Sequence, residues 1–279
     1  MIRPKILSWT CIPSWMIKFL CLLMNKKQFL IQRKKRKRIF NHFNKIPNEL
    51  KELGYNPPVI KPYDKNGVKV WIDQSTYEFP IWRLSLNGIQ WMVFDPTHGQ
   101  TKQFYSHYNL AYGHVVCTGL GFGTREKWLS AKPEVTKITV IEAHKPIIDY
   151  HKNIGTEWSD KIEIIHCDAN DYKGKCDFLS LDHYEFNDVQ SIIDSIKKVA
   201  ENIKHKSLWF WMLEPWIKNG IIQDNTENPN IIPIGIKYDG IENDIQNNYG
   251  KIKKFLDLRK LPDLETKELV KFINMYYGK

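Results

Sequence analysis

The sequence predicts an α/β fold: a mostly parallel sheet with helices on both faces, preceded by a small antiparallel β unit. Three observations predict it. From His114 onward, short apolar runs alternate with helical periodicity in a βαβαβ order, and continuous apolar strands mark a parallel sheet buried on both faces. The first run ends in Gly119-Leu120-Gly121-Phe122-Gly123, which leads straight into helix formers; such a turn can approach a ligand closely and presents free N–H groups. Upstream, VKVWID, IWRLSLN and IQWMVFD within 68–95 are rich in β-branched and aromatic residues, with Asn87-Gly88 as a hairpin signal between the last two. These features divide the chain into a basic arm over 1–46, a β-rich unit over 47–110 and a Rossmann-like domain over 111–279.

The arm holds most of the charge. The net charge of the 279-residue chain is +10. Twelve of its 41 basic residues fall in 1–46, ahead of the first acid at Glu49, so the remainder carries 29 basic against 31 acidic side chains. A nearly neutral body is not built to track a phosphate backbone. RKKRKR over 33–38 can touch nucleic acid or an anionic membrane, and a solvated basic tail is the equal alternative. Residues 6–24 are mostly apolar, but Pro13 and Lys18 interrupt them, and the basic run follows rather than precedes. N-terminal membrane association and a start at Met24 are both left open; the expected compartment is the cytoplasm.

The β unit begins after a proline-rich stretch over 47–62. In the Rossmann-like part the expected strands are HVVCTGL from His114, KITVIEA (137–143), KIEIIHCDA (161–169), CDFLSLDHY (176–184) and SLWFWML (207–213). The expected helices cover REKWLSA, KPIIDYHKNI and DVQSIIDSIKKVAENI (188–203), the last from the spacing of Val189, Ile192, Ile193, Ile196 and Val199. Beyond it, IIPIGIKYD offers one or two strands and LETKELVKFINMYY a final helix. Five cysteines, at 11, 21, 117, 167 and 176, form no CxxC pair and no zinc spacing; they read as reduced cysteines, with no metal site.

Chemistry is expected where strands end. Glu142 lies 19 residues beyond Gly123 at the end of the second strand, where a carboxylate can accept both hydroxyls of a ribose. The turn reads GxGxG; Thr124 stands where a dinucleotide turn has its third glycine, which favours a ligand without a pyrophosphate. Asp168 ends the third strand within reach of an adenine amino group. Asp182 ends the fourth, over the same crevice. Acids at strand ends are also often solvated caps.

Over about 114–213 the chain resembles the class I S-adenosylmethionine-dependent methyltransferases. The resemblance implies that Gly119, Gly121 and Gly123 form the first cofactor motif, that Glu142 binds ribose, and that Asp168 with Ala169 borders the adenine. Cys117 stands where many of these enzymes carry an acid. The pattern is more closely similar to spermidine-synthase-like proteins, which also lack that acid and carry a small β unit. LSLNGIQ (84–90) looks like their strand-turn-strand opening and FYSHYNLAYGH (104–114) like their lead into the first Rossmann strand, without the acid that holds a polyamine. Their fourth strand ends in Asp-x-x-Asp; Asp182-His183-Tyr184-Glu185 is similar, which implies Asp182 and Glu185 as the catalytic pair. The implied activity is a transferase using S-adenosylmethionine or decarboxylated S-adenosylmethionine on a small-molecule substrate. Methyl transfer is favoured over aminopropyl transfer, and a nucleoside-binding protein without turnover is the third reading. A homodimer is the candidate assembly. His183 and Tyr184 read equally as substrate contacts or loop residues. LWFWMLEPW (208–216) reads as a buried aromatic strand, with Glu214 or Trp216 lining an acceptor pocket as the alternative.

Overall fold

The computed structural model describes residues 51, 52, 54, 58–73, 81–94, 107–184, 188–211, 213, 216 and 248–259. The basic arm, Glu185, Glu214 and the elements expected in IIPIGIKYD and LETKELVKFINMYY lie outside them.

Strands β1 (Tyr63–Lys65), β2 (Val68–Asp73), β3 (Ile81–Leu86) and β4 (Ile89–Phe94) form an antiparallel sheet in chain order. Asn87-Gly88 turns the chain with φ of 50° and 84°, the left-handed pair that matches the twist of a hairpin. Asn66-Gly67 does the same between β1 and β2, with φ of 51° and 79°. That turn carries the same signal, but β1 is too short and polar to read as a strand. Val68, Val70, Leu84 and Phe94 are buried from this sheet into the core.

The second part alternates as expected: β5 (Gly113–Thr118), α1 (Thr124–Ser130), β6 (Val135–Glu142), α2 (Lys145–Ile154), β7 (Ile162–His166), the two-residue β8 (Gly174–Lys175), β9 (Phe178–Leu181), α3 (Val189–Asn202), the two-residue β10 (Ile203–Lys204) and β11 (Ser207–Phe210). Five strands make a parallel sheet in the order β11-β9-β5-β6-β7. Every residue of β9 and β11 is buried, as are Val115 to Thr118 of β5. Successive side chains point to opposite faces, so both faces of the sheet centre are covered. From β5 the chain moves outward to β6 and β7, then crosses back to β9 and β11. The direction reverses between β5 and β9, and such switch points carry ligand sites at the carboxyl ends of the strands.

Local chemistry sets the helix limits. Pro146 occupies the first turn of α2, and Gly155 ends it at φ 70°. Asp188 caps α3 through its side chain to the Ser191 N–H. The third and fourth strands end sooner than the sequence suggests, at His166 and Leu181. Asp168 therefore lies two residues past its strand, whereas Asp182 follows β9 directly. The fifth strand ends at Phe210. A further helix, α4 (Tyr249–Arg259), was not expected; its Ile252 and Phe255 are buried, and Phe255 meets Phe210 and Trp216 edge-on. Trp216 is thus packed in the core. Cys117 and Cys176 are buried free thiols, each pushed up to about 12 by burial, and Cys167 is half-buried and free. Among the described residues, no helix is long and apolar enough to cross a membrane.

The segment leading into β5 is stapled down by one cation. Lys132 Nζ donates to the carbonyls of Tyr108, Asn109 and Ala111 at 2.8, 2.9 and 2.8 Å, closing the helical turn at 107–110, while the Tyr108 ring stacks on Trp128 with centroids 4.6 Å apart. Hydrogen bonds from a charged donor are worth more than neutral ones. Lys132→Met is expected to lower unfolding stability by about 1–3 kcal/mol in urea titration. Lys137→Met, which breaks only the exposed pair with Glu163, is expected to leave the midpoint unchanged.

Candidate functional site

The site grows from one register. Thr118, the last residue of β5, pairs with Leu181, the last of β9, so Gly119 and Asp182 leave the sheet side by side. Gly119, Gly121 and Gly123 have φ of 76°, 49° and 70°, a region where a Cβ is strained. The space each glycine frees is used by the protein itself. A Cβ on Gly119 would stand 2.3 Å from the Asp182 carbonyl oxygen, one on Gly121 2.7 Å from Met92 Sδ, and one on Gly123 2.3 Å from Trp158 Cη2. The turn is therefore shaped against β9, against the thioether of β4 and against an indole following α2. His151 bonds the Gly121 carbonyl through Nε2 at 2.9 Å and Thr156 Oγ1 through Nδ1 at 3.0 Å; burial holds it down at about 4, so it is a neutral ring donating to Gly121.

Glu142 locks the turn to β6. Its side chain is buried; Oε2 accepts from the Leu120 N–H at 2.8 Å and Oε1 from the His144 N–H at 2.7 Å. A carboxylate has about four acceptor sites, so each oxygen keeps one. Trp91 of β4 meets the His144 ring edge-on at 4.7 Å, which brings the antiparallel sheet to the rim. Asp168 is exposed beyond β7. Its Oδ1 accepts from the backbone and side-chain nitrogens of Asn170 at 2.8 and 2.9 Å, and the backbone bond above all keeps it below the usual carboxylate range. Ala169 beside it is buried.

Asp182 forms the opposite lip. Its N–H donates to Thr118 Oγ1 at 3.1 Å, and its side chain is 34% exposed, with Oδ2 4.0 Å from Arg125 Nη1. Burial pushes the carboxyl up to about 6 against the pull of Arg125. His183 bridges Thr118 Oγ1 at 2.8 Å and Ser195 Oγ at 3.1 Å, and burial holds it down at about 4. Tyr184 donates its hydroxyl proton to the Trp211 carbonyl. Both residues lie in the loop that follows β9, and these bonds brace the lip.

One pair at the site escapes sequence reading. Arg125 and Glu126 open α1 and are both buried. The guanidinium meets Glu126 Oε1 through Nε at 2.8 Å and Nη2 at 2.6 Å. Nη2 also donates to the carbonyls of Thr118 at 3.1 Å and Gly119 at 2.6 Å, and Nη1 to Ser180 Oγ at 3.3 Å. Glu126 Oε2 and Thr124 Oγ1 are buried without a hydrogen-bond partner. A charged pair at a helix start reads as a solvated face; the only hint otherwise is the apolar Trp128-Leu129 that follows. His107 is also missed. It is buried between Phe178 and Trp209, with centroids at 5.3 and 4.5 Å, and burial lowers it well below the usual histidine range.

No protein-family model and no curated protein matches the chain. Among solved structures it is similar to the spermidine synthase of Thermotoga maritima, at 14% identity over 53% of each chain with a TM-score of 0.36. It is similar to an S-adenosylmethionine-dependent methyltransferase of Clostridium acetobutylicum at 14% identity, over 37% of this chain and 44% of that one, with a TM-score of 0.28. The mitomycin 7-O-methyltransferase MmcR matches at 18% identity, over 39% of this chain and 34% of that one, with a TM-score of 0.32. The match spans about half the length of the spermidine synthase.

Gly119→Ala is expected to cost at least about 2 kcal/mol in urea unfolding, because it adds left-handed strain to a clash with backbone that cannot swing away. The histidines give a pH signature. His151 and His183 are neutral when folded and bind protons more readily unfolded, so their stabilisation is complete above about pH 6.5 and is lost as pH falls toward 4. Stability measured across that window should fall less steeply in His183→Asn than in the parent.

Proposed function

We propose that this chain is a transferase acting with S-adenosylmethionine or its decarboxylated form. The carrying observation is the pairing of a left-handed glycine turn with a strand-end carboxylate, Leu120 N–H to Glu142, at the switch point where Asp182 forms the other lip. The residues fit an uncharged ribose and base better than a pyrophosphate. Glu142 offers acceptors to ribose hydroxyls. Asp168 and Ala169 stand at the next strand end for an adenine. Thr124 is buried at the start of α1, and Arg125 beside it is turned inward and committed to Glu126.

When bound, the sulfonium supplies the activated group. The protein contributes position: the turn and Glu142 hold the nucleoside, and Asp182, on the lip beside Gly119, accepts the proton released by the attacking acceptor. Methyl transfer to a small-molecule acceptor is the first reading. Aminopropyl transfer is the second, favoured by the acidic lining: Asp168, Asp182 and Glu142 surround the strand ends, while Arg125 is already paired, which suits a cationic amine.

Calorimetry of the full chain with S-adenosylmethionine, its decarboxylated form and NADH tests the cofactor. The parent should bind one of the first two, and Glu142→Gln, with its fold checked by circular dichroism, should weaken binding about tenfold to a hundredfold. Binding of NADH alone, or an unchanged affinity in the variant, would sink this reading. Preference for the decarboxylated compound would select aminopropyl transfer. A carboxyl accepts a proton only when ionised, so the transfer rate should fall as pH drops through about 6. A flat profile between pH 5 and 7 would remove Asp182 from that role.

A further inference from the structure

We propose that the buried Arg125–Glu126 pair positions the reaction crevice and sets the charge on Asp182, with the guanidinium drawing the Asp182 carboxylate toward the glycine turn and Glu126 opposing that pull. The proposal rests on the reading of Asp182 as proton acceptor, but its geometry stands apart from that reading. Arg125 reaches all three pieces that meet at the crevice: the end of β5 through the Thr118 carbonyl, the turn through the Gly119 carbonyl, and β9 through Ser180, two residues before Asp182. Nε and Nη2 are engaged by Glu126 and the carbonyls. Nη1 gives one proton to Ser180, and the carboxylate oxygen it faces is Asp182 Oδ2 at 4.0 Å. That separation is a through-space attraction rather than a direct bond, so it grades the charge on Asp182 without pinning the side chain.

Glu126 is the counterweight. It takes two guanidinium nitrogens on Oε1 and leaves Oε2 buried and unpartnered. A pair serving packing alone gains nothing from an orphaned carboxylate oxygen, and well-packed apolar residues replace such pairs at little cost. The other titratable group against Asp182 is His183 on its own turn, which stays neutral between Thr118 and Ser195; Asp168, past the end of β7, acts on that ring through space. Burial above all pushes the Glu126 carboxyl up, with Glu142 adding a little, while the Arg125 guanidinium and its hydrogen bonds draw it back toward the charged form. Asp182 therefore responds to Arg125 and Glu126 with opposite signs.

The test follows the Asp182 carboxyl directly, by carbon-13 NMR of the full chain labelled at aspartate, with the resonance assigned through Asp182→Asn. Glu126→Gln preserves shape and should lower the Asp182 midpoint by about one pH unit; Arg125→Gln should raise it by about one, and Arg125→Lys should restore part of the difference. The acid limb of the transfer rate should track each midpoint. Midpoints that stay put, or that move in the same direction in both variants, would overturn the proposal, since a merely structural pair loosens the crevice in either case. If Arg125→Gln does not fold, Glu126→Gln decides alone: a lowered midpoint supports the proposal and an unchanged one overturns it. Midpoints that diverge in a protein showing no transfer would uphold the pair's role and retire the transferase reading.

Discussion

The guanidinium of Arg125 lies under the place where β5 and β9 leave the sheet, and its bonds to Thr118, Gly119 and Ser180 fix where those ends stand. Everything above depends on that tie. The Asp182 backbone can sit against the turn only because Gly119 has no Cβ, Glu142 can hold Leu120 only if the turn arrives in register, and Asp182 takes its environment from the same cation. Breaking a buried pair by removing one partner is costly because it strands the other. Here it would strand Glu126 and two strand-end carbonyls together.

The antiparallel sheet belongs to this arrangement as well. Phe94 packs on Phe122 with centroids 5.9 Å apart, Met92 lies against Gly121, and Trp91 meets His144 beside Glu142. Lower down, Lys61 donates to the Ile154 carbonyl at 2.6 Å, and Tyr63 meets Tyr150 edge-on. Strand β4 thus packs against the glycine turn at the carboxyl edge of the parallel sheet.

Much of the fold was legible because its signals are local and apolar. The continuous runs of β5, β6 and β9, the first two rich in β-branched residues, argue for buried strands. Pro146 and Gly155 bracket α2, and the isoleucines of α3 repeat at helical spacing. The positions of Glu142 and Asp182 at strand ends were legible from where the apolar runs stop. What stayed hidden depends on contacts between distant segments. Periodicity treats Arg125 and Glu126 as solvated because they are charged; only the sheet around them makes them interior. The glycines were legible as a turn, but Met92, Trp158 and the Asp182 carbonyl, which occupy the room they leave, come from three other parts of the chain. Helix α4 has a mostly polar sequence and declares itself only through Ile252 and Phe255, and β8 and β10 are too short to carry a pattern.

Gly119 is shaped against a carbonyl 63 positions later in the chain. A polypeptide that stops before Asp182 would hold all three glycines and Glu142, and yet one lip of the crevice would not exist. Contacts that close long loops are delayed by the entropy of closing them. The crevice is therefore a late product of chain folding, completed when β9 crosses back to the centre of the sheet, and the half of it read most easily from local sequence waits longest for the half that gives it shape.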